Sequence, residues 1–276
     1  MKRKKVILIT GASSGIGLVS AMELAKTGDI IVLLCRNEAR GKKAQEEVKT
    51  FSENECIYLM ICDFSSLNNI YNFCEEFKKK FVYLDILINN AGMMDLERKI
   101  TSDGFEAHFQ VNYLSPFLLT YLLLDIIKPS GRIINVSSLA EKIGNIHFED
   151  INLLNKYSVF KAYSQSKLAI TLFTFELSRR LKDVTVNCLH PGIILSNLGI
   201  YKEKKLINFI TNKLKILFCS KEKGAEAIIF LATDDSVDDV TGKYFVKKKV
   251  KKASKKANDI YLAKKLWDYT KCILNL

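Results

Sequence analysis

The chain has 276 residues, 48% hydrophobic and 26% charged, with 3 prolines and 13 glycines. That composition excludes a disordered, collagen-like or low-complexity chain. The net charge of +12 is concentrated: residues 2–5, 202–223 and 243–265 carry +4, +5 and +9, which leaves the rest near −6. An acidic body with three basic segments is unlike a protein that coats nucleic acid.

The chain opens MKRKKVILIT, a basic stretch before an apolar one. The apolar part, 6–9, is shorter than the ~7–15 residues of a signal peptide, so it reads as a strand. Further short apolar runs follow at 30–34, 57–61, 84–88, 133–136, 184–189 and 244–246. Runs without polar alternation suit strands covered on both faces, as in a parallel sheet. Between them, 17–27, 38–51, 67–80, 109–128, 159–181 and 224–232 have lengths that suit crossover helices. The alternation predicts one α/β domain over 1–276, a Rossmann-type doubly wound parallel sheet of about seven strands flanked by helices. Residues 193–223 read as an insertion before the last crossover helix. Residues 247–256 read as a lysine-rich surface segment, opening the basic C-terminal segment 247–276, which ends in a helix.

No apolar run reaches the ~18 residues of a membrane-spanning helix. The longest, 117–127, is broken by Thr120, Tyr121 and Asp125. Seven scattered cysteines, an odd number without a CxxC pair, read as reduced thiols in a reducing compartment, hence a cytoplasmic location. Three histidines without ligand spacing argue against a metal site.

Thr10-Gly11-Ala12-Ser13-Ser14-Gly15-Ile16-Gly17 follows the first strand and opens a helix. Such a junction brings backbone amides and a helix N-terminus to a pyrophosphate, and glycine is used where a side chain would block the approach. The second strand ends Leu34-Cys35-Arg36. NAD sites have an acid there to bind the ribose 2′-hydroxyl. The acid is missing, and Arg36 offers a guanidinium for a 2′-phosphate, so the cofactor predicted is NADP, as NADPH, rather than NAD. The plain alternative is an exposed arginine at a strand end.

Four further pieces follow in order. Asn89-Asn90-Ala91-Gly92 ends the fourth strand, Asn112 lies in the next helical segment, Asn135-Val136-Ser137-Ser138 ends the fifth strand, and Tyr163-Ser164-Gln165-Ser166-Lys167 falls in the helix after it. Tyr163 and Lys167 are i and i+4 and share a helix face. A nearby ammonium lowers the pKa of a tyrosine from its ordinary ~10, which makes the pair a general acid/base. Alone, the spacing is a weak signal, and a surface Tyr over a Lys is its usual explanation.

The ordered set TGxxxGIG, NNAG, NVSS, YxxxK and His190-Pro191-Gly192 resembles the short-chain dehydrogenase/reductase family, over essentially the whole chain. The stretch FEAHFQVNYLSPFLLT at 105–120, with CDFSSL at 62–67 and AYSQSKLA at 162–169, is similar to the retinol dehydrogenase-like branch. The resemblance implies an NADP(H)-dependent oxidoreductase of a hydrophobic alcohol or carbonyl, retinol and retinal first. Steroid or fatty-acyl ketones are the alternative, as is a catalytically idle NADP-binding protein docked on membranes.

The roles implied by the resemblance fall on named positions. Tyr163 exchanges the proton with the substrate oxygen, and Lys167 lowers its pKa and binds the nicotinamide ribose. Ser138, rather than Ser137, hydrogen-bonds the carbonyl, and Asn112 holds a water in the proton relay. Gly11, Ser13, Ser14, Gly15, Ile16 and Gly17 receive the pyrophosphate. Arg36, Asp63 and Phe64 take the adenosine end, Asn90, Ala91 and Gly92 line the cofactor, and Pro191, Gly192, Ile193 and Ser196 hold the nicotinamide end. Relatives often pair through the helices holding Asn112 and Tyr163, which makes a homodimer an expectation.

Three departures bear on location and substrate: the first strand starts almost at Met1 where many members have a hydrophobic anchor, 247–256 is unusually basic, and Met93-Met94 adjoin the substrate mouth. In 203–217, Leu206, Phe209, Ile210, Leu214 and Leu217 fall on one stripe with lysines off it. This predicts a helix covering the substrate pocket. The alternative is a peripheral contact, through 203–217 and 247–256, with the cytosolic face of a membrane. Nucleic acid is disfavoured, because the lysine run lacks interleaved aromatics.

Overall fold

The computed structural model describes residues 3–194 and 218–276, and in it all seven apolar runs become strands of one sheet. The crossover units are β1 Val6–Thr10, α1 Gly15–Ala25, β2 Ile30–Cys35, α2 Glu38–Ser52, β3 Ile57–Ile61, α3 Leu67–Lys80 and β4 Leu84–Asn89. After these come α4 Ala107–Phe109, a π-helical turn Gln110–Leu114, α5 Ser115–Leu123, β5 Ile127–Val136, α6 Val159–Arg180 and β6 Val184–His190. A short parallel pair, β7 Ile193–Ile194 and β8 Phe218–Cys219, precedes α7 Lys221–Thr233, β9 Tyr244–Val246, β10 Lys249–Lys251 and α8 Ile260–Ile273.

The main sheet runs β10-β9-β6-β5-β4-β1-β2-β3, parallel throughout except for the antiparallel β9–β10 pair. β1 and β4 are buried along their whole length, which is why their sequences are mostly aliphatic and their polar residues, Thr10, Asp85 and Asn89, are all hydrogen-bonded. The strand order reverses between β1 and β4, and it is at the carboxyl ends of strands at such a reversal that open α/β sheets bind their ligands.

Each face of the sheet has its own core. α1, α2 and α7 bury Ala21, Leu24, Val48, Ile228 and Leu231 on one side. On the other, α3, α5, α6 and α8 bury Phe77, Phe117, Leu172, Phe173 and Trp267. The Phe117 ring lies 5.0 Å from both Phe173 and Trp267, and the Tyr113 hydroxyl meets Thr270 Oγ1 at 2.6 Å, so α8 locks onto the π turn and α5. Among the described residues no helix is long and apolar enough to cross a membrane.

Among the described residues the sheet has eight strands, the seven apolar runs and an edge strand formed where part of the lysine-rich surface segment pairs with β9. Its sequence hid this: the tight turn uses Lys247 at φ +56° where glycine or asparagine would have signalled a hairpin. The helix expected over 109–128 is broken into α4, the π turn and α5, and β5 already begins at Ile127. The apolar run 117–127 conceals that change because buried helix and buried strand are equally apolar.

Candidate active site

The glycine-rich turn is fastened to the turn after β4. Thr10 Oγ1 accepts from Asn90 N at 2.9 Å and Ala91 N at 2.8 Å, and Asn90 Nδ2 donates to the Thr10 carbonyl at 2.8 Å. A Cβ on Gly17 would lie 2.4 Å from Asn90 Nδ2 and 2.5 Å from the Gly11 carbonyl, so only glycine fits. Gly15 has φ +62° and open space where a Cβ would project. Ser14, N-cap of α1, makes no side-chain cap bond, whereas Asn37, Ser66, Ser220 and Asp259 cap α2, α3, α7 and α8. The first-turn amides of α1 therefore face an uncrowded cradle beside Ser13 and Ile16, the arrangement a pyrophosphate fits. Asn90 thus braces the turn with its side chain.

Cys35 is buried at the position where an acid would mark NAD. Burial pushes its thiol up to about 11, partly offset by a hydrogen bond with Ser13, so no negative charge stands there at neutral pH. Arg36 is exposed and joins no ion pair among the described residues. It edges a cavity of about 280 Å³ lined also by Cys62, Asp63 and Phe73. The Asp63 carboxylate accepts from Ser65, and Phe64 is buried in the core, so its ring is turned away from this surface.

Asn112, Gly92 and Lys167 come together: a Cβ on Gly92 would stand 3.3 Å from Asn112 Oδ1 and 3.6 Å from Lys167 Nζ. The π turn carries Asn112, and its side chain is fully engaged. Oδ1 accepts from Met93 N at 2.7 Å, and Nδ2 donates to the Met93 carbonyl and to Ser166 Oγ, both at 3.0 Å. Lys167, buried on α6, donates to the Val136 carbonyl at 3.0 Å, and burial lowers its pKa to about 8. Ser137 is pinned to Thr171 and the Lys167 carbonyl, whereas Ser138 is half-buried, accepts from Ala140 N at 3.2 Å and stands close enough to Tyr163 to pull its pKa down.

Here an expectation is corrected. Burial raises the Tyr163 pKa above its ordinary value, and the opposing pull comes from Ser138. Lys167 Nζ stands 5.7 Å from the Tyr163 ring and is turned to the Val136 carbonyl, so it does not lower that pKa here.

His190, at the end of β6, is buried and its pKa is lowered to about 4, first by burial and then by Lys142 and Lys167, so the ring is neutral at pH 7. Pro191 follows, and at Gly192, φ +96°, a Cβ would stand 2.9 Å from Cys219 Sγ. Ile193 opens β7. Ser196 and the stripe over 203–217 lie outside the described residues.

Sequence reasoning passed over two groups of buried polar residues. Asn89 Nδ2 bridges Thr120 and Asn135, and Asn135 Nδ2 reaches Thr174, tying β4, β5, α5 and α6 beneath the site. Glu106 and His108, both fully buried, pair at 2.7 Å next to Tyr163. The signal for the second was two ionisable residues in an apolar stretch.

The short chain dehydrogenase family model matches residues 5–206. Human retinol dehydrogenase 13 is 42% identical over 272 residues, 95% of this chain and 82% of that protein. The crystal structure of an uncharacterised protein from Mycobacterium paratuberculosis superposes with a TM-score of 0.80 at 29% identity, covering 98% of this chain and 93% of that one. The angucycline C-6 ketoreductase LanV with bound NADP shares the fold, with a TM-score of 0.71 at 24% identity over 88% and 93% of the two chains.

Proposed function

The chain belongs to the short chain dehydrogenase family and is an oxidoreductase acting on CH–OH groups, and from that premise we propose that it interconverts a hydrophobic alcohol and its carbonyl with NADP(H), retinol and retinal being the first pair. The observation that carries this is the convergence of Ser138, Tyr163, Lys167 and Asn112 beside the glycine-rich turn at the sheet's switch point.

A nicotinamide dinucleotide, when bound, supplies or takes the hydride. The residues of this chain hold it and handle the proton. The Gly11–Gly17 turn and the first amides of α1 fit the pyrophosphate, and Arg36, with a neutral Cys35 beside it, fits a 2′-phosphate. The Tyr163 hydroxyl gives its proton to the carbonyl oxygen in reduction and takes it back in oxidation. Ser138 donates a hydrogen bond to the same oxygen, helping to hold it over the tyrosine. Lys167, with a pKa of about 8, is positively charged at neutral pH and would hold the nicotinamide ribose, its ammonium standing on the Val136 carbonyl. Asn112, held by Met93 and Ser166 next to Gly92 and Lys167, is the residue that would hold a relay water.

β7 and β8 pair where 195–217 leaves and rejoins the fold beside Gly192 and Cys219, which supports an insertion on the substrate side. All seven cysteines are free, in keeping with a cytoplasmic setting, and the exposed Lys247, Lys248, Lys249, Lys251 and Lys252 support a peripheral contact with an anionic cytosolic membrane face.

The test is a fluorescence titration with NADPH and NADH, followed by NADPH oxidation with all-trans-retinal. Selective NADPH binding with turnover supports the whole reading. Selective binding without turnover keeps the cofactor and moves the search to steroid and fatty-acyl ketones. Preference for NADH overturns the role of Arg36.

A further inference from the structure

Glu106 and His108 have essentially no solvent exposure, yet the reaction as described uses neither. Their bonding is fully determined. His108 Nε2 lies 3.0 Å from the Asp95 main-chain nitrogen, which can only donate. The ring proton is therefore on Nδ1, directed at Glu106 Oε1, 2.7 Å away. The Glu106 carboxylate also accepts from the Phe109 amide at 3.0 Å, and the Tyr157 hydroxyl reaches it at 3.4 Å. The Glu106 amide donates to Asn152 Oδ1 at 2.8 Å. The other face of the histidine is not idle: its ring meets Tyr163 edge-on, with centroids 6.4 Å apart.

Position 108 is four residues before Asn112, and both side chains reach the same strip of main chain. Asn112 takes Met93 N and O, and His108 takes Asp95 N, so alternate residues of 93–95 are held from successive turns of one helical segment. That strip leaves the Asn90-Ala91-Gly92 turn and borders the site next to Tyr163. Asp95 in turn caps Glu97 N and pairs with Lys99, which carries the hold further along the loop.

We propose that His108, oriented by Glu106, is a positioning residue that pins the 93–97 loop and backs the Tyr163 ring, fixing the substrate side of the site. The consequence for catalysis rests on the reading of Tyr163 given above; the pin itself does not.

The tautomer is checked first, in the wild-type protein, by ¹⁵N NMR of the histidines. A proton on Nδ1 of His108 is expected, and a proton on Nε2 overturns the inference. Two variants then separate the two ring nitrogens. His108→Asn keeps a donor for Glu106 but loses the acceptor for Asp95 N, whereas His108→Gln places an amide oxygen where Nε2 was. Amide exchange in 93–99 should quicken about tenfold in His108→Asn, the worth of one neutral hydrogen bond, and return towards wild type in His108→Gln. On the same scale, KM for the carbonyl substrate should rise about tenfold in His108→Asn with KM for NADPH unchanged, and recover in His108→Gln. Equal exchange in wild type and His108→Asn overturns the pin. A wild-type protein inactive on every carbonyl, with exchange behaving as stated, sinks the functional reading and leaves the pin standing.

Discussion

Around β1 and β2 the carboxyl edge of the sheet works with main chain and open space, whereas around β4, β5 and α6 it works with buried side chains. On the first side the decisive features are a glycine with no room for a methyl, another facing open space, and a helix start without a side-chain cap. On the second they are Lys167, Asn112, Glu106 and His108, polar groups taken out of water and aimed at named atoms. The first side should therefore fail when atoms are added, and the second when they are removed or exchanged.

The sharpest break is expected at Tyr163. Tyr163→Phe keeps the ring that packs against His108 and removes the hydroxyl, so kcat should fall ~10²–10⁴-fold, the usual worth of a general acid/base, while NADPH still quenches fluorescence as in wild type. Retained turnover would remove Tyr163 from the proton transfer. On the other side, Gly17→Ala must move the Gly11 carbonyl as well as Asn90, which should cost ~1–3 kcal/mol in urea denaturation and abolish tight NADPH binding. Binding at wild-type affinity would show that the cradle does not need its present shape.

Arg36→Ala should weaken NADPH ~10–100-fold, the range of a charge-assisted hydrogen bond, and leave NADH unchanged. An equal loss for both cofactors would place the guanidinium elsewhere than at a 2′-phosphate. The smallest effect concerns stability at Lys167. Its pKa in the folded chain, about 8, lies below the ordinary 10.5 of a lysine, so below pH 8 the fold must bury a charged ammonium. As pH rises from 8 towards 10.5 the unfolded chain alone keeps the proton, and the wild-type fold gains stability. Lys167→Met, which does not titrate, should equal or exceed wild type by ~0–2 kcal/mol at pH 7, the removed burial cost being offset by the orphaned Val136 carbonyl. Its advantage should shrink when melts are repeated between pH 8 and 10.5; a constant difference would contradict the buried charge.

The same division explains what could be read before folding. The glycine pattern and the aliphatic runs of β1, β2 and β4 are local, and they predicted a doubly wound parallel sheet and the turn that opens α1. Ser138, Tyr163 and Lys167 were legible because each belongs to a fixed spacing. Glu106 and His108 were not, because what makes them matter is the main chain of Asp95, 11 and 13 residues earlier and folded back upon them. Nor could the pKa of Tyr163 be read from Lys167 at i+4: shared helix face does not say which way the ammonium turns, and it turns to Val136. Lys249–Lys251 has one apolar residue, Val250, and that one is exposed, so only its pairing to β9 makes it a strand.

The clasp between Tyr113 and Thr270, reinforced by Phe117 on Trp267, has a consequence for the order of events during synthesis. The π turn that presents Asn112 has its buried backing only when residues some 150 positions later arrive, and α1, which opens from the cradle at 10–17, waits likewise for Ile228 and Leu231 of α7. Both halves of the site are therefore finished only when nearly the whole chain is out, so a growing chain gains nucleotide binding and chemistry together, near the end of synthesis.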